Sequence, residues 1–233
     1  MSAFLKKYGV LARIDKPLAT LLVTLMLIGG TLPAEARPLR IAALGDSLTE
    51  GYGLIAQNGF TAQLQSWLDA RHVEATIVNA GVSGDTTAGG LSRVDWTLTP
   101  DIGAMIVALG GNDLLRGLSP DLSRSNLAGI LDVAKEKGIP VLLVGMEAPG
   151  NYGAEYKATF DAIYPDLAAE YDTLYFEGFL KPLTDLGLWE QVLKDYMQPD
   201  GVHPNAEGVA RIVEAMGPVV AELAERAGAS EQP

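Results

Sequence analysis

The sequence predicts an α/β layered fold with a mostly parallel sheet, on three observations. Five apolar runs of strand length recur along the chain, at 39–44, 75–78, 104–109, 141–144 and 173–176. Near-continuous apolar runs of this kind are the signature of buried parallel strands. Helix-periodic apolar patterns stand between them, and repeated strand–helix alternation gives a layered parallel sheet with right-handed crossovers. Polar or glycine-rich loops follow the runs, on the rim where ligands of such sheets bind.

The N-terminus stands apart from this pattern. Lys6, Lys7, Arg13 and Lys16 make a basic lead, and 18–28 is an uncharged apolar stretch. Gly29-Gly30, Pro33 and Ala34-Glu35-Ala36 follow. That order is the one of a secretory signal, with cleavage expected after Ala36. The apolar stretch falls short of the ~20 residues that span a bilayer. The expectation is therefore a leader at 1–36, one domain at 37–233, and a periplasmic or secreted protein with no stable membrane anchor after cleavage.

The first run, 39–44, leads into Gly45-Asp46-Ser47-Leu48-Thr49. Phe60, Leu64, Trp67 and Leu68 then share one helix face, and Arg71-His72 closes that helix. The second run, 75–78, leads into Asn79-Ala80-Gly81-Val82-Ser83-Gly84-Asp85-Thr86. The third, 104–109, leads into Gly110-Gly111-Asn112-Asp113. Leu127, Ile130, Leu131 and Ala134 make a second helix face before the fourth run. Glu147-Ala148-Pro149-Gly150-Asn151-Tyr152 follows that run, and Phe160, Ile163, Leu167 and Tyr171 make a third face. The fifth run opens a long irregular stretch that reaches Asp200 and His203. Val209, Ile212, Val213, Met216, Val220 and Leu223 mark the last helix.

Composition narrows the chemistry. Of 233 residues, 48% are hydrophobic, enough for one well-filled core. There is no cysteine, which excludes disulfides, thiolate nucleophiles and thiolate-bound metals. The formal charge is −12, and removing the four bases and two acids of 1–36 makes it −14. Such a surface repels phosphate backbones, so nucleic acid is not an expected partner. No paired histidines or Asp/Glu–His clusters suggest a metal. Gly51-Tyr52-Gly53-Leu54-Ile55-Ala56 matches a dinucleotide fingerprint only in letters, because it begins six residues beyond the strand.

One constellation remains. Ser47 needs a base to act as a nucleophile. Of the two histidines, His72 closes a helix, which leaves His203, with Asp200 three residues before it to fix the imidazole tautomer. The Ser47 N–H, the Gly84 N–H and the Asn112 amide are candidate donors for an oxyanion. Taken singly, Ser47 reads as a helix cap, Gly84 and Asn112 as turn formers, and His203 as a surface histidine. Their shared rim sets them apart. Asp46, Asp85 and Asp113 are expected to hold these loops by bonding backbone N–H groups. Gly-x-Ser-x-Gly is absent, since Thr49 stands at the last position, and this argues against an α/β-hydrolase elbow.

The blocks Gly45-Asp46-Ser47-Leu48, Gly84, Gly110-Gly111-Asn112-Asp113 and Asp200-Gly201-Val202-His203 resemble the four blocks of the GDSL/SGNH hydrolases. The likeness is to the bacterial arylesterase, thioesterase I and lysophospholipase L1 subgroup, and spans 39–225. It implies a three-layer α/β/α sandwich on a five-stranded parallel, flavodoxin-like sheet. It implies hydrolysis of carboxylic esters or thioesters, with aryl esters, short to medium acyl esters and lysophospholipids as substrates and no cofactor. It implies Ser47, Asp200 and His203 as triad, with Ser47, Gly84 and Asn112 as oxyanion hole. Leu114, Leu115, Leu118, Ala148, Pro149 and Tyr152 are the expected contacts for the acyl or aryl part, in a protein expected to be monomeric. The acidic Glu147 and small Ala148 depart from the subgroup and are expected to favour short acyl or aryl esters. A carbohydrate O-deacetylase and a non-catalytic binding protein of the same fold are the rival readings.

Overall fold

The computed structural model describes residues 38–230. The expected leader, 1–36, lies outside them. Strand β1 (Leu39–Gly45) is second in the sheet and is paired on both sides. Its neighbours are β2 (Ala75–Gly81) on one side and β3 (Ala104–Ala108) on the other. Beyond β3 lie β4 (Val141–Val144) and β5 (Leu174–Phe176), and every pairing is parallel. The order 2-1-3-4-5 is that of the flavodoxin-like doubly wound sheet, whose switch point falls between β1 and β3.

The helices cover both faces. On one, α2 (Phe60–Asp69) packs against the long C-terminal α9 (Ala206–Ser230). On the other stand α3 (Thr87–Thr97), α5 (Pro120–Glu136) and α6 (Ala154–Tyr171). Short helices α1 (Ser47–Glu50), α4 (Gly111–Leu115), α7 (Lys181–Thr184) and α8 (Trp189–Tyr196) fill the rim and the stretch after β5. The apolar stripes face the sheet as their spacing predicts: Leu127, Ile130, Leu131 and Ala134 are buried, and so is the whole Val209–Leu223 series of α9. Trp67 and Tyr171 are only half-buried because their polar ends reach outward. The Trp67 indole N–H donates to Glu214, and the Tyr171 hydroxyl to Asp132.

Three elements depart from the apolar pattern. Residues Asn79, Ala80 and Gly81 continue β2, where a loop is expected, because the ladder to β1 runs on to Gly45↔Gly81. β2 is an edge strand, so a polar Asn79 faces out at no cost in burial. Helix α3 has no apolar stripe to betray it, since its buried positions are Thr87, Gly90 and Val94. A side chain at Gly90 would run into Leu109, so that helix lies close against the core through its glycine. Leu109 itself lies beyond β3, where its carbonyl accepts from the buried Tyr164 hydroxyl (2.9 Å).

The register sets β1, β2 and β3 level at Gly45, Gly81 and Ala108. The chain is crowded there. A Cβ at Gly81 would stand 2.8 Å from Glu50 Cα and 2.9 Å from the Asp46 carbonyl oxygen, both backbone atoms that cannot swing aside. Gly81→Ala should therefore destabilise the fold by about 1–3 kcal/mol, read as a lower urea midpoint with unchanged slope. An unchanged midpoint would mean that α1 can move off the sheet freely.

Candidate active site

Loops at the carboxyl ends of the strands converge on one cleft. Asp46 caps α1, its Oδ1 accepting from the Leu48 N–H (3.0 Å), and the cap places Ser47 at the first position of that helix. The His203 Nε2 stands 2.8 Å from Ser47 Oγ, and His203 Nδ1 stands 2.8 Å from Asp200 Oδ2. With the Nδ1 hydrogen donated to the carboxylate, Nε2 is left to accept the serine proton.

The loop that carries Asp200 and His203 is closed on itself. Met197 and Pro204 form an antiparallel bridge, and the Gln198 N–H donates to the His203 carbonyl (2.8 Å). Asp200 Oδ1 accepts from the N–H groups of Val202 (2.9 Å) and His203 (3.0 Å). These bonds, with the imidazole, hold the Asp200 carboxyl down at about 2. Asn205 then caps α9 by accepting from the Glu207 and Gly208 N–H groups.

Sequence reasoning passed over two residues here. The Tyr52 ring lies 4.7 Å from the His203 ring, and the Gln198 side chain donates to the Tyr52 carbonyl (2.8 Å) and the Pro204 carbonyl (3.0 Å). Tyr52 stands within a glycine-rich string and Gln198 two residues before Asp200, and nothing local ties either to the imidazole.

The candidate oxyanion donors stand around the same space. Ser47, Gly84 and Asn112 all line the cleft. Gly84 has φ +87°, a left-handed conformation that glycine adopts freely. The Asn112 amide donates one hydrogen to Asp46 Oδ2 (3.3 Å) and keeps a second for the cleft. Asp46 is almost wholly buried, and burial pushes its carboxyl up to about 6. The Leu48 N–H, the Asn112 amide and the charge of His203 pull the other way.

Of the flanking aspartates, Asp46 and Asp113 do hold backbone N–H groups. Asp113 accepts from the Thr87 N–H (2.8 Å), the Thr87 hydroxyl (2.6 Å) and the Ser123 hydroxyl (3.0 Å). Asp85 acts differently, through Arg93 (2.6 Å), whose guanidinium also donates to the Ala80 carbonyl (2.7 Å) and the Gly45 carbonyl (2.9 Å). His72 is exposed at φ +57° in the turn before β2, at the opposite end of the sheet. Among the described residues no group of three or more His, Cys, Asp and Glu is arranged to hold a metal.

The cleft has a volume of 680 Å³ and a mainly apolar wall. Of the six residues expected to contact substrate, Leu114, Leu115, Pro149 and Tyr152 line it. Leu118 and Ala148 do not. Leu118 offers its carbonyl to the Tyr156 hydroxyl (2.8 Å), and Ala148 is buried with its N–H on Asp161 (2.7 Å) and its carbonyl on Lys157 (2.8 Å). Met146, Glu147, Phe179 and Leu180 line the cleft instead, and Phe179 is fully buried. Ala148 therefore does not set the depth of the cleft.

Known proteins are similar to this chain. The GDSL-like Lipase/Acylhydrolase family matches residues 43–211. Esterase TesA of Pseudomonas aeruginosa is 35% identical over 193 residues, 82% of this chain and 92% of that protein. Thioesterase 1/protease 1/lysophospholipase L1 of Escherichia coli K12 is 38% identical over 175 residues, 74% of this chain and 79% of that protein. The crystal structure of AlinE4, an SGNH-hydrolase family esterase, superposes with a TM-score of 0.64 at 46% identity, covering 79% of this chain and 95% of that one.

The buried Asp46 carboxyl makes a stability prediction. Its raised value in the fold adds stability below the unfolded value of 3.8, and that stability is lost as pH rises through about 6. Asp46→Asn removes this dependence. Its melting temperature should rise relative to the unsubstituted protein between about pH 4 and pH 7. A difference that stays flat across that range would mean the carboxyl is not perturbed by burial.

Proposed function

The chain belongs to the GDSL-like lipase/acylhydrolase family and is a serine ester hydrolase, and from that premise we propose that Ser47, His203 and Asp200 carry out its chemistry as a triad. One observation carries the proposal: an unbroken hydrogen-bonded chain runs from Ser47 Oγ through His203 to Asp200, at the mouth of an apolar cleft. Ser47 Oγ attacks the acyl carbon while His203 Nε2 takes its proton. Asp200 stabilises the imidazolium and holds its tautomer. The oxyanion of the tetrahedral intermediate is received by the N–H groups of Ser47 and Gly84 and by the free hydrogen of the Asn112 amide. Collapse passes the proton from His203 to the leaving alcohol and leaves an acyl group on Ser47. A water then repeats the sequence, with His203 as its base, and releases the acid.

The substrates proposed are aryl esters, short to medium acyl esters, lysophospholipids and acyl thioesters. The acyl arm lies along Leu114, Met146, Phe179 and Leu180, in a cleft of the size that takes a small organic ligand. The leader-like order of 1–36 supports export to the periplasm or beyond. No helix among the described residues is long and apolar enough to cross a membrane.

Ser47→Ala should abolish turnover of p-nitrophenyl esters without changing the melt, and only the unsubstituted protein should be labelled by an organophosphonate. His72→Ala should leave the rate unchanged. A mature protein that is folded, inactive and unlabelled would sink the proposal. Across p-nitrophenyl esters of growing chain length, each methylene the cleft buries should add about 0.8 kcal/mol, about fourfold in kcat/KM. A profile that is highest on acetate and declines from there would contradict an acyl arm in this cleft.

A further inference from the structure

The turn that carries Gly84 has little packing to hold it. It leaves the end of the edge strand β2, and Val82, Ser83 and Gly84 are all exposed. Its backbone bonds are few: the Val82 N–H donates to the Gly45 carbonyl (3.0 Å) and the Asp85 N–H to the Val82 carbonyl (3.0 Å). An oxyanion donor works only if it is held within about 0.5 Å of its productive place. Something other than burial has to fix this one.

Two charged side chains outside the triad do so. On one side, Glu50 Oε2 accepts from the Ser83 N–H (3.0 Å) and from the Ser83 hydroxyl. On the other, the Arg116 guanidinium donates to the Gly84 carbonyl (2.8 Å). The Ser83–Gly84 peptide, whose N–H is the donor, lies between these anchors. Hydrogen bonds with one ionised partner are roughly twice as strong as neutral ones, which suits them to an exposed turn.

Where the anchors come from matters as much as what they touch. Glu50 stands on α1, the helix that opens with Ser47. Arg116 caps α4, the helix that carries Asn112. Each bond therefore ties the Gly84 turn to the carrier of another oxyanion donor.

We propose that Glu50 and Arg116 are positioning residues that fix the Gly84 N–H against the Ser47 and Asn112 donors, so that the three are held as one unit. This rests on the reading of Gly84 as an oxyanion donor.

The test is steady-state kinetics on p-nitrophenyl esters with the mature protein. Glu50→Ala and Arg116→Met should each lower kcat about tenfold with KM within about twofold, because the lost interaction exists only in the transition state. Glu50→Gln and Arg116→Lys, which keep an acceptor and a donor, should recover most of the rate. In a Gly84→Ala background, where the donor is already displaced, Glu50→Ala and Arg116→Met should each cost less than about threefold. Thermal melts establish that the variants are folded, and Glu50→Asp replaces Glu50→Ala if that one is not. The proposal is overturned if the variants match the unsubstituted rate, if KM rises at constant kcat, or if the losses add in full to that of Gly84→Ala. If the unsubstituted protein hydrolyses esters and is labelled at Ser47 while the anchor variants behave like it, only the anchor proposal falls. If it does neither, the hydrolase reading falls first.

Discussion

The site depends on the level ending of three parallel strands. Gly45, Gly81 and Ala108 lie side by side in the ladder, so each loop that follows starts from one line. Ser47, Gly84 and Asn112 come two, three and four residues past that line. Three chemical groups from distant parts of the chain are thus brought together by register alone. The line is also crowded. Gly45 and Gly81 have no room for a side chain, and Arg93 ties Gly45 and Ala80 together through their carbonyls. A slip of one residue in this pairing would reverse the faces of β1 and separate the groups together.

Behind the rim, one buried polar network has its hydrogen bonds answered. Asp113 takes hydrogen bonds from Thr87 and Ser123, and Thr87 in turn takes one from the Asn126 amide (3.0 Å). The network joins α3, α4 and α5 beneath the Asn112 loop. Full satisfaction is what makes such a network rigid and not a liability. Asp46 contrasts with it. Its bonds to Leu48 and Asn112 do not cancel the effect of burial, and its carboxyl stays raised. The fold tolerates that cost at the helix cap that presents Ser47.

Most of this was legible in the sequence, and what was not has physical reasons. The strands showed because interior parallel strands are apolar on both faces; the edge strand β2 showed only as far as Val78, because the polar Asn79 then ends its apolar run. Helix α3 was hidden because glycine and threonine supply its buried contacts in place of an apolar stripe. Ser47, Gly84, Asn112, Asp200 and His203 were visible because each follows a strand, or the loop after one, and together they match the parts of a proposed hydrolase site. Ala148 misled because a loop's position does not reveal which way its residues turn; Met146 and Glu147 face the cleft, and Ala148 is drawn inward by Asp161 and Lys157. Asp85 was read as a backbone holder because its partner Arg93 lies in the helix that did not show. Glu50 and Arg116 were unremarked because surface charges carry no message until their partners are known.

The loop from Met197 to Pro204 closes by its own hydrogen bonds, with Asp200 binding two N–H groups of its own turn and the imidazole as well. The freedom of the histidine ring is therefore given up once, when the chain folds, and not again at each turnover. On the proposed mechanism the ring meets every incoming ester in the same orientation, and the ordering entropy of the base is then absent from the activation barrier.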